Sequence, residues 1–159
     1  MKIGIIVHSH TGNTLSVAQK LKEKLLTEGH PLSLEQVTAI DDSQTDVSKI
    51  NLTANPDVSA YDMLIFGAPV RGFSISPVMA AYLSKGGSLQ GKIVSCFVTQ
   101  TFPYPWMGGN RAIEQMKKAC ESKGAKVCAT GIVNWSSRKR ESMIADTVEK
   151  LSRLKEENT

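Results

Sequence analysis

The sequence predicts an α/β domain built on an open parallel sheet with helices on both faces. Short apolar runs rich in β-branched residues recur along the chain, which suits strands buried on both sides. Segments with helical apolar spacing alternate with them, and glycines and a proline stand where helices stop and start. At 159 residues the chain is the size of a single domain, spanning 1–159. Strands that alternate with helices imply right-handed βαβ units.

The elements follow in order. Residues 2–8, KIGIIVH, read as the first strand. Residues 14–28 place Leu15, Ala18, Leu21, Leu25 and Leu26 near helical spacing with lysines opposite, and Gly29 stops the helix. Residues 32–38 alternate as a second, less buried strand. The stretch 39–61 is polar, contains Asn55-Pro56 and has only a weak helical pattern around Val47 and Ile50. It is expected to be an irregular or partly helical crossover. Residues 62–68 form the third strand, and a short helix over 77–84 has Pro77 in its first turn. Residues 92–99 form the fourth strand. A helix over 110–123 follows, with Asn110 as its expected cap and Gly124 past its end. Residues 126–134 are the fifth strand. The last helix covers 137–156, capped by Ser136 or Ser137, with Ile144, Val148, Leu151 and Leu154 on its apolar stripe.

Composition excludes several classes. Hydrophobic residues are 41% and charged residues 21%, which is ordinary globular usage. The net charge of +4 is too weak to imply nucleic-acid binding by itself. Residues 41–62 carry five Asp and one Lys, whereas residues 110–159 carry eleven Lys or Arg against seven acids. The basic segment has no interleaved aromatics, which argues against a nucleic-acid partner. Cys96, Cys120 and Cys128 show no metal-type or C-x-x-C spacing, as expected of reduced thiols in a cytoplasmic protein. No apolar run reaches the roughly 18 residues of a membrane span, and the N-terminal run is too short for a secretory signal.

Function is signalled by the turn after the first strand: Ser9, His10, Thr11, Gly12, Asn13 and Thr14. In open parallel sheets ligands bind beyond the carboxyl ends of the strands. A helix N-terminus there offers free backbone N–H groups and a positive dipole end, which suits a phosphate. Three hydroxyls and one amide add neutral donors, and no lysine or arginine lies in the turn. The spacing lacks the G-x-x-x-x-G-K of a nucleoside-triphosphate loop and the three glycines of a dinucleotide fingerprint. It resembles the flavodoxin family, whose first loop reads (S/T)-x-T-G-x-T. Ser9, Thr11, Gly12 and Thr14 match every defined position. The strand ending F-G-A-P-V at 66–70 and the segment M-G-G-N-R-A-I at 107–113 also look like short flavodoxin-family oxidoreductases. The resemblance runs from Lys2 to about Leu154. It implies a doubly wound five-stranded sheet of order 2-1-3-4-5, an FMN cofactor, and a phosphate held by residues 9–14. With residues 126–134 running straight into the last helix, there is no room for the insertion of long-chain flavodoxins.

The same resemblance places the flavin ring between the loops after the third and fourth strands. The first of these offers Pro69, Val70, Arg71, Gly72 and Phe73. The second offers Thr99, Gln100, Thr101, Phe102, Tyr104, Trp106, Gly108 and Gly109. Four of the nine aromatic residues lie there, an unusual exposure unless something flat binds. Neither loop contains an acid, and Arg71 and Arg111 bring positive charge. That departs from the acidic flavodoxins and implies a less negative potential for the final reduction step.

The expected function is an FMN flavoprotein that carries electrons between redox partners, as a monomer or homodimer. The alternative is an NAD(P)H-dependent FMN reductase acting on quinone-like acceptors, with a nicotinamide donor. A remote alternative is a flavin-free interaction module. A signalling receiver domain is excluded because acids are missing after the first and third strands, where His8-Ser9 and Ala68-Pro69 stand. Among the lesser signals, His8 is expected to be packed and His30 to be exposed, while His10, within the loop, is read as pointing outward, with donation to the phosphate as the alternative. Cys96 and Cys128 are expected in the core. Arg138, Lys139 and Arg140 read as a solvated face, and the acidic stretch 41–62 as a solvated loop.

Overall fold

A computed structural model describes residues 2–102, 104 and 106–153. The apolar run at the N-terminus forms β1 (Ile3–Val7), in which every residue is buried. Helix α1 (Asn13–Thr27) returns the chain to β2 (Leu32–Gln36), which is only half-buried because it lies at the sheet edge. Gly29, at φ 85°, ends α1 in the left-handed conformation that glycine favours. The central strands are β5 (Met63–Arg71) and β7 (Ile93–Gln100), and β8 (Lys126–Asn134) closes the far edge. All neighbours along the order β2-β1-β5-β7-β8 pair in parallel. The expected order 2-1-3-4-5 is therefore observed.

Strand alternation splits the core into two layers. Ile3, Ile5, Val7, Ile65 and Phe97 pack on α1 and on α4 (Arg140–Ser152) through Val17, Leu21, Ile144 and Leu151. Ile6, Leu64, Phe66, Val94 and Val98 pack the other way. They meet Val78 and Met79 of α2 (Pro77–Lys85) and Ala112 and Met116 of α3 (Gly109–Glu121). Both faces are thus covered, which is why the strand sequences are continuously apolar.

Several local expectations are corrected. The crossover 39–61 is partly helical as expected, with one 3-10 turn at Val47–Lys49, but it also takes part in an unexpected antiparallel ribbon, β3 (Thr38–Ala39) with β4 (Leu52–Ala54). The third strand extends to Arg71 and folds back through Gly72 and Phe73 onto β6 (Ser74–Ile75). Asn110 does not cap α3; Gly108, at φ 109°, does, and the helix begins at Gly109. Neither Ser136 nor Ser137 caps α4, which starts at Arg140 after a turn. Ser137 instead accepts the Lys139 amide, and Ser136 donates to the Thr101 carbonyl. Cys128 is half-buried on the edge strand, not in the core, while Cys96 and Cys120 are buried side by side. His30 is half-buried. Arg138 and Lys139 are exposed as expected, and Arg140 is partly exposed, its guanidinium lying over the Trp135 ring at 5.1 Å and donating to the Trp135 carbonyl. Leu154, the last position of the expected apolar stripe, lies outside the described residues.

Candidate functional site

The carboxyl ends of β1, β5 and β7 meet around a cavity of about 120 Å³. Its walls are His10, Thr11 and Asn13 from the first loop, Pro69, Val70 and Arg71 from β5, and Thr99, Gln100 and Thr101 from β7 and its continuation. Three segments far apart in sequence are brought together because parallel strands align all their carboxyl ends at one edge of the sheet.

The first loop owes its shape to Ser9 and Gly12. Gly12 adopts φ 97°, and the Ser9 hydroxyl accepts from the Gly12 amide (3.1 Å) and the Leu15 amide (3.3 Å). The first intrahelical bond of α1 runs from the Ser16 amide to the Gly12 carbonyl. The amides of Asn13 and Thr14 therefore lie in the first turn, where no intrahelical carbonyl reaches them. Thr14 does not face the cavity. It is buried, and its hydroxyl pairs with that of Thr99 at 2.9 Å, tying the first loop to β7. Of the three loop hydroxyls, Thr11 is the one that lines the cavity.

The other two walls touch each other. Gly72 and Phe73 both have positive φ, 59° and 63°, the combination that two-residue hairpin turns use. For a bulky residue such as Phe73 this conformation is strained. Its exposed ring stacks on exposed Phe102 with centroids 5.3 Å apart and planes 6° from parallel. Beyond them Tyr104 stacks on Trp106 at 5.7 Å, and Trp106 is 72% exposed. The aromatic loop is anchored from within by buried Gln100, whose amide nitrogen donates to the carbonyls of Phe102 and Tyr104 at 2.6 Å each. The Gln100 Oε1 has no hydrogen-bond partner among the described residues. Gly108 and Gly109 are buried at the foot of this loop; a side chain on Gly108 would strike Val70 and Phe73. Arg111 is exposed and outside the cavity wall.

A family model described as a flavodoxin domain matches residues 4–131. The chain belongs to the flavodoxin family. Solved structures agree with this family's fold. Oxidised Flavodoxin 1 from Bacillus cereus superposes with a TM-score of 0.70 at 16% identity, covering 98% of each chain. Oxidised Flavodoxin 2 from the same organism gives 0.69 at 18% identity, covering 96% of this chain and 99% of its own. A flavoprotein in complex with FMN from Lactobacillus acidophilus NCFM gives 0.64 at 16% identity, covering 92% and 97%. No curated protein sequence matches this one.

This flavodoxin-family chain adds a cluster that sequence reasoning missed. Asp42, from the acidic crossover, reaches both histidines of the first loop region. His8 Nε2 donates to Asp42 Oδ1 at 2.6 Å, and His10 Nδ1 contacts Asp42 Oδ2. The Ser76 hydroxyl donates to His8 Nδ1 at 2.8 Å and its oxygen accepts the Met79 amide, capping α2. Arg71 donates to the Asp42 backbone carbonyl. His10 thus turns toward the crossover instead of pointing freely outward, and His8 is buried as expected. Burial holds the His8 pKa below its ordinary value, against the opposing pull of Asp42. Burial would raise the Asp42 carboxyl, but the hydrogen bonds from His10 and His8 outweigh it and hold the pKa low. The Asp41-Asp42 pair was visible in the sequence, but no periodicity or motif linked it to a loop more than thirty residues away. Among the described residues no helix is long and apolar enough to cross a membrane, and no group of metal-ligating side chains occurs.

Proposed function

We propose that this chain binds FMN and uses it to carry electrons between redox partners. The observation that carries the reading is the convergence at one sheet edge of a helix-N-terminal loop rich in neutral donors and two aromatic walls. The amides of Asn13 and Thr14, with the Thr11 hydroxyl and the Asn13 side chain, fit a phosphate. The buried Gln100 Oε1, without a partner among the described residues, lies against Gly109 at the foot of the aromatic loop. The hairpin at 70–73 and the loop at 101–107 are the walls of the ring site. Phe73 and Phe102 bridge those walls, so a ring between them needs the pair to part by roughly one further layer of about 3.5 Å. The strained φ of Phe73 is consistent with a position held for binding rather than for stability. FMN supplies the electron transfer when bound; the protein binds, orients and tunes it.

The exposed Tyr104–Trp106 stack favours a second reading, in which a flat nicotinamide donor docks beside the ring and a quinone-like molecule is the acceptor. A visible absorption spectrum of purified protein, before and after adding FMN, tests the first reading. Yellow protein that releases FMN on denaturation is the expected result, and a chain that stays colourless with excess FMN refutes it. Steady-state oxidation of NAD(P)H with a quinone acceptor distinguishes the reductase from the carrier.

A further inference from the structure

We propose that His10, held by Asp42, is a cationic ligand for the cofactor's phosphate, so that FMN binding by this chain is linked to a proton. The inference rests on the FMN reading above and deepens it. By composition the first loop offers neutral donors and His10 but no lysine or arginine, and a phosphate dianion recognised by neutral groups alone is held less strongly than one that meets a charge. The tertiary structure changes that inventory. His10 lines the cavity, whereas Asp42, which grips its Nδ1, does not. The carboxylate therefore stands behind the imidazole, and Nε2 is the ring nitrogen that Asp42 leaves uncommitted. A carboxylate accepting from Nδ1 favours the protonated ring, and a protonated ring donates from Nε2.

The charged surroundings of His10 support this division of roles. From the crossover come Asp42 and its neighbour Asp41. From β1 comes His8, bonded to the other oxygen of Asp42. From β5 comes Arg71, which lines the same cavity and is fixed by the Asp42 carbonyl. The β7 segment contributes only the uncharged Thr99, Gln100 and Thr101. His8 is buried, its Nδ1 takes the Ser76 hydroxyl proton, and its Nε2–H goes to Asp42. That pattern is satisfied by a neutral ring, in keeping with its lowered pKa. His10, half-exposed and lining the cavity, is therefore the partner of Asp42 that faces the candidate phosphate site. Asp42 acts as a positioning residue: it orients His10 and favours its charge without touching the ligand.

The test is titration of the apo-protein with FMN and with riboflavin, which lacks the phosphate, followed by flavin fluorescence from pH 5.5 to 8.5. Wild type, His10→Gln and Asp42→Asn are compared. FMN affinity of wild type is expected to exceed that of His10→Gln by about tenfold at the acid end, a typical worth of one charge-assisted bond. The ratio should narrow toward unity as the imidazolium is lost. Taking the ratio cancels the ionisation of the phosphate itself, which titrates near pH 6 in both proteins. Riboflavin affinity should stay within twofold in all three proteins. Asp42→Asn should shift the FMN dependence to lower pH while keeping His10 in place. Equal FMN affinities in wild type and His10→Gln across the range overturn the inference and leave the FMN reading standing. A pH-independent ratio, or parallel loss of riboflavin binding, also overturns it by assigning His10 a steric role. A wild type that binds neither flavin overturns the FMN reading, and this inference with it.

Discussion

Replacing Gly108 by Ala tests how the two ring-site walls are held at their spacing. Gly108 sits at φ 109° and ψ −28° as the cap of α3. An L-residue there costs on the order of 1–3 kcal/mol in backbone strain alone. The added methyl would also lie 2.7 Å from Val70 Cγ1, 2.8 Å from Phe73 Cα and 3.1 Å from the Phe73 carbonyl carbon. Two of these contacts are to backbone of the β5–β6 hairpin, so no side-chain rotation relieves them. Overpacking of this kind costs a further ~1–3 kcal/mol. The combined loss of about 2–6 kcal/mol is a large share of the roughly 5–15 kcal/mol that stabilises a domain. With a urea m-value of about 2 kcal/mol per molar, the unfolding midpoint should fall by about 1–3 M. The hairpin carries Val70, Arg71 and Phe73, so FMN affinity should fall in the folded fraction as well. Urea titration followed by circular dichroism gives the first quantity and flavin fluorescence the second. A midpoint within 0.2 M of wild type, a shift of only about 0.4 kcal/mol at that m-value, would refute the claim that the walls touch at Gly108.

Substitutions at three other positions address different parts of the site. His8 has a folded-state pKa below its ordinary 6.5, so protons bind the unfolded chain first as pH falls below that value. Stability should be full above about pH 6.5 and decline toward pH 5, and His8→Gln should flatten that decline in urea midpoints; an unchanged slope removes His8 from the linkage. Phe73→Ala and Phe73→Asn both lose the Phe102 stack, but Asn tolerates the left-handed backbone. The Asn variant should melt about 2–4 °C above the Ala variant for ~1 kcal/mol of relieved strain, and equal melting temperatures would show that the turn is unstrained. Arg71→Ala should make the final, one-electron flavin reduction step more negative by about 30–60 mV in a redox titration, as expected for a roughly three- to tenfold change in relative binding at about 59 mV per decade. An unchanged potential would show that the cation, tied to the Asp42 carbonyl, does not act on the ring.

Much of the protein was legible from residues alone. The β-branched runs at 3–7, 63–68, 93–99 and 126–134 became strands because a strand buried on both faces must be continuously apolar. The shape of the string 9–14 was readable because a helix start with a left-handed glycine and adjacent donors is a local matter. Other features lay outside sequence reach. The cap of α3 was misplaced by two residues because Asn110 has the right side chain, whereas a close contact with Val70 and Phe73 demands glycine at 108. The Thr14 hydroxyl looked free for a ligand until the register of β7 set Thr99 against it, whereas its amide remains in the first turn of α1.

The sequence by itself determined the alternation of strands and helices, the two apolar layers and the loop chemistry at the end of β1, since each depends on neighbours within a few residues. Only the tertiary structure decided which groups face one another across that edge. Parallel pairing brought Phe73 onto Phe102 from segments on different strands, and the crossover carried Asp42 to His8 and His10. An acid that read as part of a solvated stretch is thereby bonded to a buried histidine, because charge and hydrogen bonding act through space and leave no period in the chain.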